Sequence, residues 1–153
     1  MIYVDTSVLE AIYTKEINSA DVSRWYASCT HELVSAVWCV SEFASALGIK
    51  QHTGQISNTE AQTAWVHFER MCANDLQLLP IESGAFHRAA VLTLDAASGL
   101  RVGDALHLAV ALANKAKSIA TLDDVLARNA RRMKLKQAKI KPGFFEADLK
   151  SLH

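Results

Sequence analysis

Apolar positions along this chain change their period repeatedly, and the changes mark the elements. Ile2-Tyr3-Val4 is a short β-rich run that stops at Asp5-Thr6-Ser7. Val8, Leu9 and Ile12 then fall at helical spacing, so strand, turn and helix are predicted in that order. A second helix is predicted over residues 20–29, with Asn18 or Ser19 as N-cap. Residues 33–37 read as a second strand, apolar on both faces as a buried parallel strand is. Residues 40–49 turn helical again, with Phe43, Ala46 and Leu47 on one side and Gly48 near the end. Ser57-Asn58-Thr59-Glu60 is a capping-box signature that opens a helix to about Ala73. Leu76–Leu79 is a third strand stopped by Pro80, residues 83–97 a helix ending near Gly99, and Gly103-Asp104 opens another through Asn114. Residues 118–122 are a fourth strand, followed by a helix from about Asp123 to Met133 and an edge strand over 137–140.

Strands alternating with helices predict an α/β fold with a parallel sheet covered on both faces. Ligands in such sheets sit beyond the carboxyl ends of the strands. Asp5 and Asp123 directly follow strands, and Glu42 and Asp104 come from early turns of helices that can point to the same edge.

Composition narrows the class. With 153 residues, half of them hydrophobic and 21% charged, the chain can bury one core and is far from a disordered composition. Two prolines and six glycines leave no evident linker. The longest weakly polar stretch, 105–113, contains His107 and is too short to span a bilayer. The start of the chain lacks the basic and apolar regions of a leader, so no export is expected. Cys29, Cys39 and Cys72 form no CxxC pair, which fits buried thiols in a reducing cytoplasm.

Charge is zero overall but uneven. Residues 1–95 carry 5 Lys/Arg against 11 Asp/Glu, and residues 96–153 carry 11 against 5. The basic excess gathers in Arg128, Arg131, Arg132, Lys134, Lys136, Lys139 and Lys141. A basic segment beside an acidic cluster suits a polyanion whose scissile phosphate meets a metal ion, and equally a solvated helix face and tail.

Asp5, Glu42, Asp104 and Asp123 carry the chemistry. Carboxylate oxygens are hard ligands suited to Mg²⁺ or Mn²⁺, which keep several waters and also bind phosphate. Such a metal activates water and neutralises charge developing on phosphorus. Without it, converging carboxylates repel and some take up protons. Taken singly, Asp5 and Asp123 also read as plain helix caps.

Four segments together resemble the PIN-domain ribonucleases, specifically the VapC-type toxins of toxin–antitoxin modules. They are Met1-Ile2-Tyr3-Val4-Asp5-Thr6-Ser7-Val8-Leu9, Val40-Ser41-Glu42-Phe43-Ala44-Ser45-Ala46-Leu47, Leu100-Arg101-Val102-Gly103-Asp104-Ala105-Leu106-His107-Leu108-Ala109 and Ala120-Thr121-Leu122-Asp123. The resemblance spans nearly the whole chain, the third segment being the most specific. It implies a single PIN-like domain over 1–153, a three-layer α/β/α sandwich with a mostly parallel sheet of four to five strands. It implies a Mg²⁺- or Mn²⁺-dependent endoribonuclease cutting structured RNA such as tRNA or rRNA. It also implies a small VapB-type antitoxin, a homodimer and no membrane. Asp5 and Asp104 become direct metal ligands by carry-over. Glu42 and Asp123 bind through water or orient the attacking water, and Ser7 and Thr121 match supporting hydroxyl positions.

Other residues are weighed beside these. His107, one turn after Asp104, reads as a buried hydrogen-bonded histidine before it reads as a general acid. The Thr-x-Asp register selects Asp123 over Asp124, which suits the first turn of a helix. Arg101 is placed for phosphate or for an ion pair. Trp25, Trp38 and Trp65 read as core before stacking platforms, although the first and last could also meet a protein partner. Arg128, Arg131 and Arg132 lie at helical spacing and could line an RNA path. Two competing functions stand beside the nuclease: a non-catalytic PIN-like module that binds RNA or protein, and a phosphoacceptor domain. The second lacks a paired acid near the first strand end and a convincing late lysine.

Overall fold

A computed structural model describes residues 1–142 of the chain. The elements run β1 (Ile2–Val4), α1 (Thr6–Tyr13), α2 (Ser19–Ser28), β2 (Leu33–Ala36), α3 (Trp38–His52), α4 (Asn58–Asn74), β3 (Leu76–Leu79), α5 (Ser83–Leu94), a 3-10 turn (Ala96–Ser98), α6 (Val102–Ala113), β4 (Ser118–Ala120), α7 (Asp124–Arg132) and β5 (Lys136–Gln137). The five strands form one sheet in the order β3-β2-β1-β4-β5, and every pairing is parallel. The chain steps outward from β1 to β3, then returns to the other side of β1 for β4. The gap between β1 and β4 is therefore a topological switch point, where a crevice opens at the carboxyl ends.

Strand alternation assigns the two faces. Tyr3 points into a core with Val34, Leu79, Leu106, Leu108 and Leu126 from α5–α7 and their neighbours. Ile2 and Val4 point the other way, among Leu9, Val22, Phe43, Phe68 and Met71 from α1–α4. Helices thus cover both faces, which gives the expected three layers and explains why every residue of β1 and β2 is buried.

Several boundaries move. The third helix begins at Trp38 and runs through Gly48 to His52; the turn falls at Gly54, whose φ of 76° suits glycine. The fifth helix stops at Leu94 because Asp95 caps a separate 3-10 turn, closed by left-handed Gly99. The edge strand lies at Lys136–Gln137 rather than 137–140. The capping box at Ser57 and Glu60 forms with both reciprocal bonds. No described helix is long and apolar enough to cross a membrane. Residues 143–153 of the expected single domain lie outside the described residues.

Candidate active site

β1 ends at Val4, and the next residue, Asp5, takes extended backbone angles while its side chain accepts from the Val8 N–H at 3.3 Å. That cap starts α1 and fixes the carboxylate at the strand's end. β4 ends in the same way two residues before Leu122, and Asp123 caps α7 by accepting from Leu126 N–H at 2.8 Å. Asp104 lies in the first turn of α6, and Glu42 projects from the start of α3. Asp5, Asp104 and Asp123 therefore sit at three helix N-termini, whose unpaired N–H groups favour negative charge. The cap reading of Asp5 and Asp123 holds, and capping does not keep either carboxylate from bordering the cleft.

All four acids line one cleft of about 800 Å³, with Thr6, Ser7, Trp38, Arg101 and His107 also on its walls. A network of hydroxyl groups clamps its floor. Ser7 Oγ donates to Asp5 Oδ1 at 2.6 Å and accepts from Leu122 N–H at 3.0 Å. Thr121 Oγ1 donates to Asp5 Oδ2 at 2.5 Å and accepts from Asp123 N–H at 3.0 Å. The turns after β1 and β4 are thereby locked to each other through Asp5, which is only 2% exposed.

A second chain of bonds holds Glu42. The Ala36 N–H donates to Tyr3 Oη at 3.0 Å. With that lone pair occupied, Tyr3 donates to His107 Nδ1, 2.6 Å away. An accepting Nδ1 puts the imidazole proton on Nε2, which bonds Glu42 Oε1. Thr6 Oγ1 donates to the same oxygen at 2.7 Å. Glu42 Oε2 lies over Gly103, where a Cβ would stand 2.7 Å from it. The indole N–H of Trp38 flanks the same glycine and has no hydrogen-bond partner.

The electrostatics follow from this packing. Burial pushes the Asp5 carboxyl up, against His107 and the Ser7, Thr121 and Val8 donors. Burial, then the charges of Asp123 and Asp5, push Asp104 up to about 6. Burial also acts on Glu42, but the hydrogen bonds from His107 and the Thr6 hydroxyl hold it below its ordinary value. The acids load one another, as converging carboxylates must.

Hard carboxylate oxygens under mutual repulsion fit a hard divalent cation better than bare solvent. Among the described residues no three acid, histidine or cysteine side chains already close into a ligand shell.

Some expectations change here. Trp38 is a half-buried wall of the cleft, not simply core. Arg128 donates to Ser98 O at 3.1 Å and Arg131 to Gln137 at 3.0 Å, so these side chains tie α7 to its neighbours and none of the arginine trio lines the cleft. Arg101 lines it, and forms no ion pair among the described residues. Trp65 stacks among Phe43 and Phe68 and Trp25 packs partly against the same core; larger apolar exposure falls on α5, at Phe86, Val91 and Leu94. Sequence reasoning missed Tyr3, Thr6, Glu10 and Lys50. Glu10 is pushed up to about 7 by burial and then by Glu16, and Lys50 pairs with Glu16 at 3.3 Å. The i,i+4 spacing of Thr6 and Glu10 was a signal for the first turns of α1; the packing of α3 left none.

The PIN domain family profile matches residues 2–132. No curated protein matches the chain significantly in sequence. Among solved structures, the chain resembles the Sarcin-Ricin loop cleaving toxin VapC20 of Mycobacterium tuberculosis, with 14% identity, TM-score 0.73, 93% of this chain and 100% of that one covered. FitAcB from Neisseria gonorrhoeae has 17% identity and TM-score 0.64, covering 91% and 97%. A toxin–antitoxin complex from Klebsiella pneumoniae has 15% identity and TM-score 0.55, covering 80% and 87%.

Proposed function

This chain belongs to the PIN domain family, and we propose that it is a Mg²⁺- or Mn²⁺-dependent endoribonuclease, the toxin of a type II toxin–antitoxin module. One observation carries the reading. Four acids from four separate elements share the crevice at the switch point, close enough to push Asp104 up to about 6. A fold has no structural need for that concentration of charge.

A divalent ion bound there supplies charge neutralisation at the scissile phosphate and a more acidic water. Asp5 and Asp104 are the residues proposed to hold it. Asp5 is aimed by three donors, so its carboxylate enters the reaction already oriented. Glu42 has Oε1 occupied by His107 and Thr6, which leaves Oε2 to accept a proton from the attacking water. Asp123 uses Oδ1 as a cap and leaves Oδ2 to position water. Arg101, at the rim, is placed to meet a flanking phosphate. RNA is the proposed substrate because VapC20 cleaves the Sarcin-Ricin loop. An antitoxin partner is proposed because the Klebsiella structure that this fold resembles is a toxin–antitoxin complex.

The test is cleavage of total RNA by purified protein with and without Mn²⁺, beside Asp5→Asn and Asp104→Asn. Metal-dependent cutting lost in both variants supports the proposal; metal-independent cutting, or equal cutting by the variants, rejects it. RNA retained in EDTA but never cut with any metal points to the non-catalytic binding module instead. Sequencing RNA ends after induction then identifies the target.

A further inference from the structure

The acidic cleft is a poor place to gather a polyanion. Asp5, Glu10, Glu42, Asp104 and Asp123 line it against Lys50 and Arg101, and Lys50 is already paired with Glu16. Attraction for a phosphate backbone has to come from another part of the surface. The opposite edge of the sheet offers it. Two adjoining grooves of about 260 and 300 Å³ share Trp25 and Lys139 at the amino ends of the strands. Lys117 precedes β4 there, Lys136 opens β5, and Lys139, Lys141 and Arg24 extend the row along α2. Asp21 is the one carboxylate lining either groove, and it is taken up by Arg24 at 2.5 Å. Among the described residues the lysines have no acidic partner. Trp25 is half-buried, one side packed on the core and the rest facing the groove.

We propose that this groove is a second RNA-binding surface, whose lysines take backbone phosphates and whose Trp25 stacks an unpaired base of the same RNA that enters the cleft. The inference rests on the reading of the cleft as an RNA-cutting site. Cations interleaved with an aromatic face are what an unpaired strand requires, since every base has a face to stack and every linkage a charge. The two edges are separated by the three-residue strand β1, roughly 10 Å of backbone. The two sites face opposite ends of the sheet, so an RNA has to be long enough to wrap around the domain to touch both. The groove thus favours structured over short substrates and divides labour: cations hold, carboxylates cut.

The experiment measures binding of a stem–loop RNA with single-stranded flanks to the full chain in EDTA across a salt series. It compares wild type, the double variant Lys136→Glu/Lys139→Glu, Trp25→Ala and, as a control on α5, Arg88→Glu. The double variant is expected to bind at least about tenfold more weakly and to lose about two from the log–log salt slope, one per phosphate contact. Trp25→Ala is expected to weaken binding about tenfold with the slope kept, because stacking releases no counterions. Arg88→Glu is expected to behave as wild type. Equal affinity and slope in all four proteins would overturn the inference. Because EDTA prevents metal-dependent cutting, that result is independent of whether the cleft is catalytic.

Discussion

His107 Nε2 donates to Glu42 Oε1 across 65 positions of sequence, and the imidazole is held for that task by Tyr3 at Nδ1. Neither bond is made for packing alone: the histidine is 1% exposed, and both ring nitrogens meet polar partners, one of them the acid of the cleft. Tyr3→Phe removes the donor to Nδ1 and leaves the buried Ala36 N–H without an acceptor, a cost of about 1–3 kcal/mol. The imidazole proton is then free to move to Nδ1. The expected outcome is a melting temperature lower by about 3–10 °C, together with weaker Mn²⁺ binding in calorimetry. His107→Gln keeps a donor for Glu42 and should retain more Mn²⁺ affinity than His107→Leu. Equal affinity in the two would show that the histidine only fills space.

Gly103 tests the other oxygen of Glu42. Alanine there improves helix propensity by about 1 kcal/mol, but its Cβ would meet Oε2 at 2.7 Å. The carboxylate cannot swing aside without leaving His107 and Thr6. Gly103→Ala should therefore melt within a few degrees of wild type and cleave RNA at least about tenfold more slowly, since small misplacements of catalytic groups are costly. Full activity in this variant would mean that Glu42 has slack the hydrogen bonds do not suggest.

The acids should respond to pH with opposite signs. Asp104 is raised from 3.8 to about 6. A raised carboxyl favours the folded state below its unfolded value, and that advantage is lost as pH climbs through the folded value. Asp104→Asn, which mimics the protonated form, should therefore gain on wild type as pH rises from 4 to 7 in EDTA, by about 1–3 °C in melting temperature. Glu42 is lowered from 4.5, so its contribution is present above that value and fades as pH falls through the folded one. Glu42→Gln should be less stable than wild type at pH 7, with the deficit closing in acid. Mn²⁺ should raise the wild-type melting temperature by mass action and leave Asp104→Asn nearly unmoved.

Much of this could be read from the residues, and for definite reasons. Asp5 and Asp123 follow strands and begin helices, and the carboxyl ends of parallel strands are shared ground, so their meeting was a consequence of topology. The capping box at Ser57 declared itself by chemistry that needs no partner outside the helix. What was lost depends on packing angles. Gly48 resembled a helix end, but nothing at that point obliges the chain to turn; Gly54 does so six residues later. Tyr3 and His107 are 104 residues apart. Strand alternation gives Tyr3 its face, yet only the seating of α6 on that face brings the ring nitrogen to its hydroxyl. The arginines of α7 had the right spacing for an RNA path and stay exposed, but Arg128 bonds Ser98 O and none of the three borders the cleft, a placement that spacing along one helix does not reveal.

Thr121 offers the sharpest separation of scaffold from chemistry. Among the described residues its hydroxyl is the one side chain bonded to both strand-end acids, donating to Asp5 Oδ2 and receiving the Asp123 N–H. Thr121→Val keeps the shape and removes the link. Asp5 then loses one of the donors that oppose its burial, so its carboxyl should move further up and bind protons at the expense of Mn²⁺. The Asp123 N–H is orphaned beside it, at a cost of about 1–3 kcal/mol. Thr121→Ser retains the hydroxyl at the loss of one methyl group, about 1 kcal/mol of packing. If the hydroxyl is what matters, serine should restore Mn²⁺ affinity and cleavage to within about threefold of wild type, while valine lowers both at pH 6 and recovers part of the loss at pH 8. Matching defects in serine and valine would instead place the role of Thr121 in its methyl group and in packing of the turn.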